Sequence, residues 1–240
     1  MPEHNSTGRP TDRQTGRLYI VSTPIGNLQD ITLRAIETLK QTHIIAAEDT
    51  RRTQILMGHY GIKTPLTSYF QHNKVRKADF LIRLLKEGKD VALVSDAGTP
   101  GISDPGFVVI KKALEEGISV IPIPGPAAFL TALSVSGLPT NKFTYEGFLS
   151  NKSSQRKKRL KELSKEKRTV VIYESPHRLL KTLADIREIM GDIHLVCARE
   201  LTKKFEEIRR EKVSESVKHF SNTKILGEFI IMFHPKTKAA

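Results

Sequence analysis

The amino-acid sequence predicts an α/β fold in two domains, with a mostly parallel sheet in the N-terminal domain and a mixed sheet in the C-terminal domain. Up to residue 136, apolar strand patterns alternate with helical ones, which is typical of parallel strands joined by right-handed crossovers. Beyond it strand patterns dominate. A Gly-Leu-Pro linker separates the two parts. We therefore expect a disordered polar tail at 1–16 and domains at 17–136 and 137–240.

The elements of the first domain follow from the spacing of apolar residues. Strands are predicted at 17–22, 43–49, 90–95 and 118–123, with a short apolar segment at 64–70. Helices are predicted at 30–40, 52–61, 75–88, 105–116 and from 124 to 136. Asp30 is the expected N-cap of the first helix, and Asp104 followed by Pro105 is expected to start the fourth.

The second domain is predicted to be richer in strands. Strands are expected at 143–149, 168–174, 193–200, 205–213 and 227–233, and helices near 152–166 and 176–190, the latter with Ser175 as N-cap and Pro176 at its first position. The single cysteine, Cys197, is expected in the core and cannot form an internal disulfide. No apolar stretch is long enough to span a bilayer and no secretory signal is apparent, so we expect a cytoplasmic protein.

The positive charge is concentrated in the second half. The chain has 39 Lys and Arg against 26 Asp and Glu, a net charge of +13. Residues 1–136 hold 16 basic and 13 acidic side chains, whereas residues 137–240 hold 23 and 13. The densest run, 152–168, has nine basic and two acidic residues. It is interpreted either as a solvated helix or, because the whole half is basic, as a surface for a polyanion such as RNA.

The stretch LVSDAGTPGISDPG at 93–106 is the clearest candidate for a ligand-binding loop. It lacks the lysine of a phosphate-binding P-loop. The first strand leads into STPIGNLQD, which has one glycine rather than the dinucleotide fingerprint. Acidic side chains and turn glycines after a strand suit a ligand with ribose hydroxyls and a positive centre, such as S-adenosylmethionine. Ordinary turn formation explains the same composition.

Five motifs in order, VSTPIGNLQDIT (21–32), AAEDTRRT (46–53), VSDAGTPGISDPG (94–106), IPGPAA (123–128) and YESPHR (173–178), resemble the family of ribosomal RNA small subunit methyltransferase I. The resemblance runs from about residue 18 to 233. It implies a tetrapyrrole methylase-like fold with S-adenosylmethionine in the cleft between two domains, a homodimer, and methylation of a cytidine ribose 2′-oxygen at the decoding site of 16S rRNA. SYFQHNK (68–74) departs from the family pattern, which usually has a histidine at position 70 or 71 and an acidic residue at 74.

The resemblance implies two walls of a cofactor pocket. The first consists of Ser95, Asp96, Ala97, Gly98, Ile102, Ser103, Asp104, Gly125, Ala127 and Ala128. The second consists of Tyr173, Glu174, Ala198, Leu201 and Thr202. Two alternatives stay open: the small residues of the IPGPAA turn are equally explained by tight packing, and Leu201 by a place in the core.

Candidate catalytic residues are Glu48 and Asp49, which follow a strand predicted to end at the carboxyl edge of the parallel sheet, where such folds bind ligands. Either is a possible general base, with His72 and His177 as rivals, and Asp49 is equally explained as a helix N-cap. Phosphates of the RNA are expected on Arg51, Arg52, Arg156, Lys157, Lys158, Arg159 and Arg178. The histidines show no metal-ligand spacing, so no metal is expected.

Two alternative functions remain open at this point. A methyltransferase of the same fold acting on a tetrapyrrole or a protein side chain would share the 93–106 loop but would not need the basic second domain. A non-catalytic RNA-binding protein would share the charge but not the loop. The chain has no tryptophan and no recognisable RNA-stacking aromatic motif.

Overall fold

A computed structural model of the chain describes residues 15–235, so residues 1–14 of the predicted tail lie outside the described part. The described residues form two compact units. The first unit comprises the residues up to Pro24 together with Leu28–Pro126, and the second comprises Ile25–Asn27 and the chain from Ala127 onward.

The first unit is a parallel five-stranded sheet with helices as crossovers. Its strands are β1 (Leu18–Val21), β2 (Ile44–Ala47), β3 (Leu66–Ser68), β4 (Val91–Val94) and β5 (Val120–Ile123), in the order β3-β2-β4-β1-β5. Its helices are α1 (Leu33–Gln41), α2 (Thr50–Tyr60), α3 (Lys74–Lys86) and α4 (Phe107–Glu115). Every strand pairing in this sheet is parallel. All five strands therefore end at one edge, which we call the carboxyl edge.

The apolar residues of the predicted strands are buried on both faces of this sheet. In β4 all four residues are buried, as expected of a central strand covered on both faces. One face packs on α3 and α4 through residues such as Leu93 and Leu81, and the other packs on α1 and α2 through Val94 and Leu39.

Three predicted helix starts are wrong. Helix α1 is capped by Thr32, whose side chain accepts from the Ala35 N–H, because Asp30 ends a short 3₁₀ turn. Helix α4 starts at Phe107 rather than at Pro105. In the second unit the segment Ser175–Arg178 forms a turn before the next helix begins, with the Arg178 N–H on the Ser175 carbonyl at 3.1 Å.

The second unit contains a mixed five-stranded sheet. Its strands are β6 (Phe143–Phe148), β7 (Thr169–Glu174), β8 (His194–Arg199), β9 (Glu207–Lys212) and β10 (Phe229–Phe233), in the order β6-β7-β10-β8-β9. Its helices are α5 (Ala128–Ser134), α6 (Ser153–Leu163), α7 (Leu179–Met190) and α8 (Val213–Ser221). Only β6 and β7 pair in parallel; the remaining pairings are antiparallel.

Two features of the second unit were not predicted. Helix α8 follows β9 directly; the Glu215 carboxylate accepts from the Lys212 N–H at 2.8 Å and so starts the helix. Helix α5 contacts β7 and β10, which places Ala127 rather than residue 137 at the start of this unit.

Cys197 is fully buried in the core, and burial raises the pKa of its thiol to about 12. Among residues 15–235 there is no helix with the length and apolarity to cross a membrane.

Candidate active site

The carboxyl edge of the first unit gathers most of the predicted site residues. Glu48 and Asp49 follow β2, the 95–106 loop follows β4, and Gly125 follows β5. The segment containing His72 follows β3, and it is joined to β2 by a hydrogen bond from the Tyr69 N–H to the Ala47 carbonyl. The sequence separated these segments by up to 77 residues; parallel pairing brings them to one edge.

Three carboxylates meet where β2 and β4 end. The Asp49 N–H donates to Asp96 Oδ1 at 2.9 Å, and the Asp96 N–H points to Glu48 Oε2 at 3.5 Å. The register places Ala47 beside Val94, so the residues that follow each strand are neighbours. A cluster of this sign favours a positively charged or hydroxyl-bearing ligand.

The environment separates the two candidate bases. Burial, and then the negative charge of Asp96, raises the pKa of Glu48 above its ordinary value. For Asp49, hydrogen bonds from the Arg51 side chain and then from its N–H lower the pKa to about 2. Asp49 is the N-cap of α2, as one alternative proposed. Its basicity is therefore low, and Glu48 is the better proton acceptor.

The two arginines at the start of α2 lie over this cluster. Arg51 makes a bidentate contact with Asp49, with distances of 3.0 and 2.7 Å, while its side chain stays 87% exposed. Arg52 lies 3.5 Å from Asp96 and is 64% exposed. Both guanidinium groups reach solvent at the edge, so donors remain for an anionic substrate.

The 95–106 loop is held against β1 rather than extending freely. Thr23 and Gly98 exchange two backbone hydrogen bonds, of 2.9 and 3.0 Å. Gly98 is buried and has φ +75°, a conformation that a β-branched residue rarely adopts. Ser103 also has positive φ, at +64°, which marks a constrained backbone in this loop. Within the loop, Ile102 is 45% exposed.

Hydroxyl groups that were not among the predicted site residues hold this loop in place. The Ser22 hydroxyl lies 2.9 Å from that of Thr99, which in turn contacts the Pro126 carbonyl at 3.3 Å. A Cβ on Gly125 would come within 2.9 Å of Ser22 Cβ, so close packing explains that glycine. The signal was present in the sequence, since these hydroxyls stand beside the quoted glycine motifs.

In the second unit, a strained turn follows β8. Glu200 and Thr202 both have positive φ, at +50° and +65°. Gly26 packs against this turn so closely that a Cβ would lie 2.9 Å from the Thr202 hydroxyl. Thr202 Oγ1 is buried without a hydrogen-bond partner among the described residues. A buried hydroxyl left in this state is suited to a ligand, and it belongs to a residue predicted to bind the cofactor.

The other residues predicted for this wall are buried or half-buried. Glu174 is 2% exposed and is bonded to the Ser175 N–H, the Thr182 hydroxyl and Arg178, at distances between 2.6 and 2.7 Å. Ala198 and Leu201 are buried. Tyr173 is half-buried and belongs to a cluster of aromatic rings.

Three of the arginines predicted to contact RNA form ion pairs with acidic side chains of the protein. Arg156 is 3% exposed and pairs with Asp185 at 2.7 Å, because α6 packs its leucines, and with them this side chain, against α7. Arg178 contacts Glu174 and the Leu149 carbonyl. Arg159 makes two 2.9 Å bonds to Glu146. The guanidinium groups of Arg156 and Arg178 are therefore committed to the fold, whereas the Arg159 side chain stays 45% exposed.

The remaining basic candidates differ in availability. Lys157 lies 2.6 Å from Glu188. Lys158 is exposed on α6, and no ion pair to it occurs among the described residues. His72 lines a shallow depression of about 520 Å³ beside Lys74 and Arg76. His177 is exposed in the turn before α7. Neither histidine is joined to the three carboxylates by a hydrogen bond.

The remaining predicted positions have simple locations. Ser95 is buried, with its hydroxyl donating to the Ala97 carbonyl at 3.2 Å. Ala127 and Ala128 are half-buried at the start of α5. Asp104 lies half-buried near the end of the loop. Across residues 15–235 there is no group of three or more His, Cys, Asp or Glu side chains able to hold a metal ion.

Comparison with known proteins matches this architecture to one class. The family model for tetrapyrrole (corrin/porphyrin) methylases matches residues 17–216. A solved structure of cobalt precorrin-4 methyltransferase superposes with a TM-score of 0.69, covering 92% of this chain and 96% of that one at 17% identity. At such identity the likeness concerns the fold alone.

Closer relatives define the family within that class. Ribosomal RNA small subunit methyltransferase I of Thermotoga maritima is 50% identical over 221 residues, covering 92% of this chain and 99% of the relative. The protein of the same name from Escherichia coli O157:H7 is 50% identical over 216 residues, covering 90% of this chain and 74% of the relative. The chain therefore belongs to the tetrapyrrole methylases and, among them, to the family of ribosomal RNA small subunit methyltransferase I, and it is a methyltransferase.

Proposed function

We propose that the protein transfers a methyl group from S-adenosylmethionine to the ribose 2′-oxygen of a cytidine in the decoding region of 16S rRNA. The observation that carries the proposal is the 50% identity over almost the full length of a relative that bears the name ribosomal RNA small subunit methyltransferase I. The choice of cytidine and of the 2′-oxygen goes beyond that name and rests on the resemblance of the five motifs.

The residues present fit the cofactor. When bound, S-adenosylmethionine supplies an electrophilic methyl group on a sulfonium and leaves as a thioether. Asp96, at the carboxyl edge beside the candidate base, supplies negative charge that suits its positive centre. Gly98 lets the loop present backbone without a side chain in the way, and the unpaired Thr202 hydroxyl offers a hydrogen bond. The remaining residues predicted for the two walls stay part of this proposal.

The protein's own chemical task is alignment and removal of one proton. A ribose hydroxyl is a weak nucleophile, so holding it in line with the methyl group supplies much of the acceleration. In the proposed mechanism the Glu48 carboxylate accepts the hydroxyl proton as the oxygen–carbon bond forms. Its raised pKa makes it a better base than Asp49, which we assign to holding Arg51. His72 and His177 are weaker candidates.

For the RNA, we propose phosphate contacts at Arg51, Arg52 and the exposed Lys158. Arg156 and Arg178 are withdrawn from this role because their guanidinium groups are engaged inside the protein. Lys157 and Arg159 would have to exchange an intramolecular carboxylate for a phosphate. We also propose a homodimer that acts in the cytoplasm without a metal ion, on either naked 16S rRNA or the small ribosomal subunit.

The test is methyl transfer to ribosomal subunits. Small subunits from a bacterial strain that lacks this modification are incubated with the protein and S-adenosylmethionine labelled in the methyl group. The 16S rRNA is then digested and analysed by mass spectrometry. We expect one labelled 2′-O-methylcytidine per subunit, in the decoding region, and full activity in the presence of EDTA. Label on a base, on a ribosomal protein or only on an added tetrapyrrole would contradict the proposal.

A further inference from the structure

Five aromatic rings from three distant segments meet on one face of the second unit: Phe129, Phe143, Tyr145, Phe148 and Tyr173. Phe129 of α5 stacks on Tyr145 of β6, with ring centroids 4.6 Å apart. Tyr145 contacts Tyr173 edge-on at 5.4 Å, and Phe148 contacts Tyr173 at 5.5 Å. No local sequence motif announces this cluster, because its members lie on α5, β6 and β7.

Phe148 is the exposed member of the cluster. Its side chain is 57% exposed, whereas Tyr145 and Tyr173 are half-buried. Exposing a phenylalanine ring to water is unfavourable, and here the ring is not loose: it is the outer end of a chain of ring contacts. The cluster therefore presents one aromatic face to solvent, and the other rings hold that face in place.

A β-bulge puts Phe148 on this face. In the parallel ladder Tyr145 pairs with Val171, but the next pair is Gly147 with Ile172, so Glu146 is an extra residue. Gly147 has φ +61°, which accommodates the bulge. If residues 145–148 alternated regularly, Phe148 would lie on the face opposite Tyr145, where Ile172 and Leu149 pack in the core.

The bulged residue is itself anchored. Glu146 makes two hydrogen bonds to Arg159 of α6, both of 2.9 Å, so the bulge is fixed from outside the strand. β-Bulges often re-aim a side chain next to an active site. Phe148 pairs in register with Tyr173, a residue that the cofactor proposal places in the pocket wall.

From these observations we infer that Phe148, supported by Tyr173, is a stacking surface for the base of the RNA nucleotide being methylated. The inference rests on the proposed function and deepens it. Proteins that recognise RNA specifically bind mostly single-stranded segments, whose unstacked bases regain stacking on aromatic side chains. Stacking tolerates any base, so Phe148 would contribute binding and positioning, with the identity of the base read elsewhere.

The absence of tryptophan from the chain allows a direct test. Phe148→Trp introduces a single tryptophan at the proposed surface. Leu114→Trp is the matched control, since Leu114 is 61% exposed near the end of α4, which runs away from the carboxyl edge. Each variant of the full chain is titrated with an eight-nucleotide oligocytidine and with an abasic ribose-phosphate oligomer of the same length. We expect saturable quenching in Phe148→Trp by oligocytidine alone.

Binding measurements on Phe148→Ala, Phe148→Leu and Phe148→Tyr then separate stacking from apolar contact. Loss of one base stack corresponds to roughly a tenfold loss of affinity. We expect that loss for oligocytidine in the alanine and leucine variants, rescue in the tyrosine variant, and no change for the abasic oligomer or for S-adenosylmethionine. Rescue by leucine, or equal quenching by the abasic oligomer, would overturn the inference.

Two further outcomes are distinct from each other. If Phe148→Ala changes the elution volume in size-exclusion chromatography and leaves oligocytidine affinity unchanged, Phe148 is a contact between copies of the chain and the inference is wrong. If base-dependent quenching is observed but no methyl reaches the small subunit, the proposed function fails while the stacking surface stands.

Discussion

The carboxyl edge of the first unit and the basic helix α6 of the second differ in how far their charged side chains are neutralised by partners. At the edge, Glu48 lies close to Asp96 and keeps a raised pKa, so part of its charge is left unbalanced. On α6, Arg156 is buried in an ion pair with Asp185, and Arg159 is held by Glu146. A charged residue is a candidate for function when the fold leaves it unsatisfied, and local charge density alone does not reveal this.

The largest expected effect concerns the satisfied charges. Arg156→Gln removes the closest partner of the buried Asp185, leaving Lys157 at 3.7 Å, and should cost about 3 kcal/mol in the free energy of unfolding, measured by urea denaturation. Lys158 lies two residues further along α6 and is exposed, so Lys158→Gln should change the free energy of unfolding by less than about 0.5 kcal/mol. Equal stability of the two variants would show that the ion pair is not structural.

At the carboxyl edge the effect should fall on rate. Glu48→Gln should lower single-turnover methyl transfer to small subunits by roughly a hundredfold, the scale of losing a general base. Asp49→Asn should lower it far less, because the pKa of Asp49 of about 2 makes it a poor base. Both variants should bind S-adenosylmethionine like the wild type in calorimetric titration. The assignment of Glu48 is wrong if Asp49→Asn is the slower enzyme.

A substitution at Gly98, whose φ is positive, tests whether the 95–106 loop binds the cofactor. Gly98→Val should weaken S-adenosylmethionine binding by at least about tenfold, because valine rarely adopts φ +75° and the residue bonds to Thr23. Gly88→Val is the matched control: its φ is +79°, its Cβ would meet open space, and it lies at the other end of β4. The control should lose stability and keep cofactor affinity. Similar affinity in both variants would remove Gly98 from the site.

The smallest effect is expected from Lys158 and Lys161, which are exposed on α6 and form no ion pair among residues 15–235. Replacing Lys158 and Lys161 by Gln should weaken RNA binding slightly and reduce the slope of log affinity against log salt by about 1.5, since each phosphate contact contributes roughly 0.7–0.9. Filter binding between low and moderate salt measures the slope. An unchanged slope would mean that α6 is only a solvated helix.

The sequence predicted the regular parts of the molecule well and the context-dependent parts poorly. Strands such as β4 are continuous apolar runs, so their type and place follow from local pattern. Whether Arg156 faces water or Asp185 depends on how α6 packs on α7, which no local pattern contains. The aromatic face at Phe148 depends on a bulge and on three separate segments.

The site shows the same division. The motifs predicted Glu48 and Asp49 at the edge of the sheet and Asp96 in the cofactor loop, and the structure brings the three together because the carboxyl ends of parallel strands share one edge. They did not distinguish the two neighbouring carboxylates at 48 and 49. That difference comes from hydrogen bonds and burial, through which Arg51 neutralises one and Asp96 opposes ionisation of the other.

The central claim is that the unbalanced charge at Glu48 serves catalysis at the expense of stability. A raised native pKa means that the folded state binds the proton more tightly than the unfolded state, so ionisation of Glu48 destabilises the fold as pH rises through that pKa. Glu48→Gln should therefore melt at a higher temperature than the wild type at pH 7, and the difference should disappear in acid, below the pKa of an unfolded glutamate.

The most direct measurement combines the melting temperature with the rate of methyl transfer. Single-turnover methyl transfer is measured as a function of pH in the wild type and in Glu48→Gln. The account predicts that the wild-type rate rises with pH through a pKa above that of an ordinary glutamate and then levels off, while the slower, thermally more stable variant shows no such rise. A variant that keeps the wild-type profile, or that is both slower and less stable at pH 7, would contradict it.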